Sequence, residues 1–99
     1  MGNKSLVRKV IGGFVNDVPH QLRGLKSRLD AGDAQGARLQ ARALKRVAAT
    51  VSAEALGALC LEVQEAAAAG QLRRALALLP RLKEHLELLQ DTLKQSGWV

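Results

Sequence analysis

The chain has 99 residues, 15 Lys and Arg against 9 Asp and Glu for a formal charge of +6, 47% hydrophobic residues and 2% aromatic ones. That length makes one small domain with little core to spare, and a Leu- and Ala-rich composition nearly without aromatics suits helices rather than strands. One cysteine and two histidines exclude an internal disulfide and a metal cluster, no apolar run reaches the ~18 residues of a membrane span, and no carboxylate pair, triad or phosphate-cradling glycine loop supports independent catalysis.

In the first segment Val7, Ile11, Phe14, Val18, Leu22, Leu25 and Leu29 recur at spacings of 3 and 4, the period of a helix face. The phase runs through Gly12, Gly13 and Pro19 unshifted. One long helix over about residues 4–31 is therefore expected, kinked near Pro19, which lacks an N–H and crowds the preceding turn. The alternative is two helices parted at Asn16-Asp17, with Asp17 capping the second. Ala31-Gly32-Asp33 reads as a turn. Asp33 is the expected N-cap of a second helix over about 34–51, whose Ala37, Ala41, Leu44, Ala48 and Val51 share one face.

A third helix is expected to start at Ser52, to carry Leu56, Leu59, Cys60 and Val63 inward, and to end at Gly70. Cys60 reads as a small core residue. The fourth, about 71–95, sets Leu72, Ala75, Leu79, Leu82, Leu86, Leu89 and Leu93 in a seven-residue repeat, with Pro80 bending it. Short loops make neighbours antiparallel. The expected fold is all-α, an antiparallel up-down four-helix bundle forming a single domain over residues 1–99. A coiled coil is the alternative for the last repeat, but three companion helices with matching stripes favour packing within the chain.

The N-terminal LVRKVIGG is too short and too charged for a secretory h-region, and a lone cysteine suits a reducing compartment. A cytoplasmic, monomeric protein without membrane contact or cofactor is expected. The positive balance directs it to acidic partners. That charge is densest on the second helix, where Arg38, Arg42, Lys45, Arg46 and Ala49 share an arc about 100° wide, away from the apolar stripe. Basic helix faces are ordinarily just solvated surface. Nucleic acid is a weak candidate, because stacking aromatics are nearly absent and no helix-turn-helix fits long antiparallel helices.

The four-helix pattern and ARALKRVAATVSAEALGALCLEVQEAAAAGQ resemble histidine phosphotransfer (HPt) domains of bacterial phosphorelays. Leu44 and Lys45 match the Leu-Lys of the family's His-x-Leu-Lys-Gly motif. Ala48, Ala49, Ser52-Ala53 and Leu56 match the small residues and the turn after that motif, and Leu59-Cys60 and Glu62-Val63 match the next helix. FVNDVPHQLRGLKSRLDAGD is similar to the helix before it, and the likeness covers about residues 5–95. It implies docking to a response-regulator receiver domain, whose active site is acidic and holds Mg²⁺, or to a hybrid sensor kinase.

Two departures bear on the chemistry. The resemblance puts Arg42 in the phosphoaccepting histidine's place and Arg46 in that of the glycine four residues on. An imidazole attacks an aspartyl phosphate because it is neutral near pH 7; a guanidinium offers only N–H donors and no lone pair to attack with. A long Arg46 also fills the room that glycine leaves for the receiver. Lys45 remains, and in the family it helps hold the phosphoryl charge. The expectation is a docking module that accepts no phosphate, with the arc from Arg38 to Ala49 as its docking face. The competing frame, His20-Gln21-Leu22-Arg23-Gly24, fits the motif locally, but only 19 residues precede it and no run of small residues comes after it. His20 is thus read as an outer-face residue and only a remote substitute acceptor, roughly level with Lys45; His85 is read as a boundary residue beside Leu86.

Overall fold

The computed structural model describes residues 3–51 and 53–95, and their side chains except those of residues 3–8, 10, 11, 14 and 15. The expected core positions Val7, Ile11 and Phe14 and the expected helix start Ser52 lie outside what is described. The elements are α1 (Asn3–Asp30), α2 (Ala34–Thr50), α3 (Glu54–Ala68) and α4 (Leu72–Gln95). Each helix packs on the next, and α4 closes the ring against α1. Connections of three residues reverse the chain each time, which makes the up-down bundle. The molecule measures 42 × 23 × 21 Å; its long axis is the length that the 28 residues of α1 span at about 1.5 Å each.

α1 is continuous through Asn16, Asp17 and Pro19. Instead of capping a second helix, the Asp17 carboxylate accepts a hydrogen bond from Gln21 Nε2 at 3.0 Å. α4 likewise passes through Pro80 unbroken. Val18 and Leu25 flank Pro19, and Leu79 and Leu82 flank Pro80, all facing one core, and that burial outweighs one missing helix hydrogen bond.

The helix ends depend on their glycines. Gly32 (φ 77) and Gly70 (φ 73) hold the left-handed backbone that glycine adopts without a Cβ clash. The amides of Gly32 and Asp33 donate to the carbonyls of Leu29 and Arg28 at 3.1 and 2.8 Å, and those of Gly70 and Gln71 to Ala67 and Ala66 at 3.0 and 2.8 Å. Both are Schellman closures. Asp33 then opens α2: its Oδ1 accepts the Gly36 amide at 2.9 Å. A Cβ on Gly36 would run into the Asp33 carboxylate and the Arg28 guanidinium.

α3 begins at Glu54, two residues after the expected Ser52. Ala53 is its N-cap, without a side-chain oxygen to offer. The Ala53 amide closes α2 on the Ala48 carbonyl at 2.8 Å, while its carbonyl takes the Gly57 amide at 2.9 Å. One residue thus ends one helix and starts the next through its backbone alone.

The core holds the expected stripes: Val18, Leu25 and Leu29 of α1, Ala37, Ala41, Leu44 and Ala48 of α2, Leu56, Leu59, Cys60 and Val63 of α3, and Ala75, Leu79, Leu82 and Leu86 of α4. Leu93 is buried too, and Leu22, Leu72 and Leu89 pack at the margin. α2 and α3 meet through small residues: a Cβ on Gly57 would lie 3.8 Å from that of Ala48. Burial pushes the Cys60 thiol up to about 12, as desolvation of a would-be thiolate must.

A polar seam joins α1 to α2. Gln40 Nε2 donates to the Gln21 carbonyl at 2.9 Å and to Gln21 Oε1 at 3.2 Å, and its Oε1 accepts from Arg28 Nε at 3.0 Å. Gly24 lies under this amide: a Cβ there would stand 3.1 Å from Gln40 Nε2.

Candidate functional site

The helix period places Arg38, Arg42, Lys45, Arg46 and Ala49 on one arc of α2 about 100° wide, and the burial pattern agrees. Ala37, Ala41, Leu44 and Ala48 point into the core, while Arg42, Lys45, Arg46 and Ala49 are exposed and Arg38 is half-buried. Small buried residues let α2 sit close to its neighbours, so long cationic side chains fit only outward.

No carboxylate among the described residues meets these cations. The ion pairs among the described residues are Lys26–Asp30, Arg28–Asp33 and Lys83–Glu87, none of them on the arc. Thr50 beside it spends its hydroxyl on the Arg46 carbonyl at 2.9 Å. The outer face of α2 is therefore a set of N–H donors and positive charge around one alanine, with no anion supplied by the described chain.

Two neighbours of the arc escaped the sequence reading. Leu39, on its edge, keeps 48% of its surface in water; the helical period hinted at this, because Leu39 falls outside the buried stripe. Gln64 is the other. Its Oε1 is buried with no hydrogen-bond partner among the described residues. Gln64 lies seven residues beyond Gly57, and Ala41 seven before Ala48, so the antiparallel register set by the Gly57–Ala48 approach puts Gln64 level with Ala41. α1 covers the Gln40 flank of α2, which leaves α3 on the flank carrying Arg38 and Lys45. An unfilled acceptor thus borders the arc.

The other candidates lie apart. His20 is exposed on α1, and the Gly24 of its local motif receives Gln40 rather than opening a reactive surface. His85 is half-buried on α4. Cys60 is sealed in the core. Among the described residues no group of three or more His, Cys, Asp or Glu is placed to hold a metal ion, and no helix is long and apolar enough to cross a membrane.

Residues 9–92 match the family model described as Hpt domain. No curated protein and no solved structure gives a significant match. The family match takes in most of the chain, including all of α2 and α3. The chain belongs to the Hpt domain family and is a phosphorelay signalling module, of a kind that works with receiver and kinase partners.

Proposed function

We propose that this Hpt domain docks a receiver domain, or a kinase partner bearing one, through Arg38, Arg42, Lys45, Arg46 and Ala49, and that it does so without accepting phosphate. The observation that carries the reading is position 42: an exposed guanidinium on the outer face of α2, with no acidic partner among the described residues. A guanidinium has no lone pair with which to attack an aspartyl phosphate. It does have a planar fork of donors suited to carboxylates.

The rest of the arc supports the same reading. Receiver active sites are acidic, so four outward cations would meet carboxylates there and compete with the bound Mg²⁺ or with a true phosphodonor. Exposed Leu39 supplies apolar area beside the charges, of the kind that interface cores bury. Pairing at the rim steers encounter, while pairing that becomes desolvated on contact holds the complex.

The test is a titration of a receiver domain, measured with and without Mg²⁺ at two salt concentrations. Binding should weaken as salt rises, and Arg42→Glu should weaken it about tenfold or more. Equal affinity for wild type and Arg42→Glu would end the proposal. Incubation with a phosphorylated receiver should leave no acid-labile, base-stable label on the protein. A label lost in His20→Ala would instead move acceptance to α1.

A further inference from the structure

The chain has two prolines, each in the interior of a different helix, Pro19 in α1 and Pro80 in α4. They line the same groove. An interior proline removes one helix hydrogen bond and bulges the turn before it, so two facing helices are altered at one place. The groove holds about 770 Å³ and runs between α1 and α4, away from the outer face of α2.

Its chemistry is uneven. Leu22, Leu76 and Leu79 join the prolines in an apolar lining. Arg23 and Lys26 of α1 and Lys83 of α4 stand around it, against one carboxylate, Asp30. Asp30 is held by Lys26 at 2.8 Å and Lys83 reaches Glu87 at 4.0 Å, while Arg23 has no ion pair among the described residues. Cations therefore flank the apolar strip from both helices.

We propose that this groove docks an acidic amphipathic helix of a partner protein. The α1 lining runs from Pro19 to Asp30, a distance of about 16 Å at helical rise, which matches roughly three turns of a docked helix. A helix in a groove buries residues spaced i, i+3, i+4 and i+7; the leucines and prolines would receive that stripe, and carboxylates on its flanks would meet Arg23, Lys26 and Lys83. A second copy of this chain is a poor occupant, since each carries a formal charge of +6. A small amphiphile is poorer as well, because small-molecule sites enclose most of their ligand and this one is open to solvent. The groove and the α2 arc lie on different helices, so a tethering partner and a receiver can be held together.

The probe is a fluorescein-labelled peptide of about 14 residues, a little over three turns, with Leu at i, i+3, i+4 and i+7 and Glu elsewhere. It is titrated with the full chain by anisotropy, and amide shifts are mapped by NMR. Expected are shifts confined to residues 19–30 and 76–83, about tenfold weaker binding to the Arg23→Glu, Lys83→Ala double variant, and unchanged binding to Arg42→Glu. A peptide with Lys for Glu should not bind. The proposal is overturned by no binding up to ~1 mM, by equal affinity for the double variant, by shifts on α2, or by dodecanoate or phosphatidylglycerol vesicles occupying the groove in preference to the peptide.

Discussion

The two polar flanks of α2 have opposite fates. Toward α1, the Gln40 amide is engaged at both ends, by Gln21 and by Arg28, and Arg28 reaches Asp33 at 3.5 Å, the residue that caps the helix. On the outer flank Arg38, Arg42, Lys45 and Arg46 have no such partners among the described residues. A polar group answered within the chain contributes to folding. A row of cations left unanswered repels itself: Arg38–Arg42 and Arg42–Arg46 are like-charge pairs four apart, each costing about 0.2–0.5 kcal/mol. Changes on the first flank should therefore lower stability and leave receiver binding alone, and changes on the second should do the reverse.

The largest effect tests the outer flank. On the proposed function, Arg42→His with Arg46→Gly installs the histidine and the glycine that the resemblance expects at these two positions. Incubated with a phosphorylated receiver, the double variant should gain an acid-labile, base-stable label where the wild type takes none. A correctly folded double variant that stays unlabelled would mean that the arc is not the transfer face.

Next comes a stability change that should spare both flanks. Burial raises the Cys60 thiol from 9.0 to about 12. Above pH 9 the unfolded thiol gives up its proton and the folded one keeps it, so the unfolded state gains and stability falls as pH rises. The slope is about 1.4 kcal/mol per pH unit between the two values. Denaturant titrations at pH 8 and pH 10 should differ more for wild type than for Cys60→Ala, and equal differences would refute the assignment. Iodoacetamide at pH 8 should label Cys60 only on unfolding.

The inner flank gives the third effect. Gln40→Ala removes the hydrogen bonds to the Gln21 carbonyl, to Gln21 Oε1 and from Arg28 Nε. The seam is only partly buried, so the loss should be about 1–2 kcal/mol in urea unfolding. Receiver affinity should not change. A weakened receiver complex in a fully folded Gln40→Ala protein would erase the distinction between the flanks.

Much of the architecture is legible in the residues because burial has one period. Val18, Leu22, Leu25 and Leu29 keep phase across Pro19, so the continuity of α1 could be read, and Ala37, Ala41, Leu44 and Ala48 showed by elimination which side of α2 faces water. Gly32 and Gly70 marked the turns because few other residues tolerate their backbone. Gln40 and Gln64 were not legible. A glutamine beside an apolar stripe fits a solvated, a bonded and an orphaned amide equally well, and only the neighbouring helix decides. The start of α3 was misplaced because serine is the better cap by side chain, whereas Ala53 serves through backbone bonds that sequence does not display. Nor could the spacing of Pro19 and Pro80 along the chain say that α1 and α4 bring them to one groove.

The smallest effect is the sharpest against a purely structural role for the arc. Arg42→Gln keeps a long helix-compatible side chain and deletes three like-charge contacts along α2, with Arg38, Lys45 and Arg46. It should raise unfolding free energy by about 0.5 kcal/mol at low salt, and the gain should shrink as salt screens the charges. The same variant should bind a receiver more weakly. Stability and binding then move in opposite directions at one position, as expected where a cation is kept for a partner at the fold's expense. If Arg42→Gln instead destabilised the bundle, Arg42 would be holding a contact within the fold, and the outer flank would be no different from the inner one.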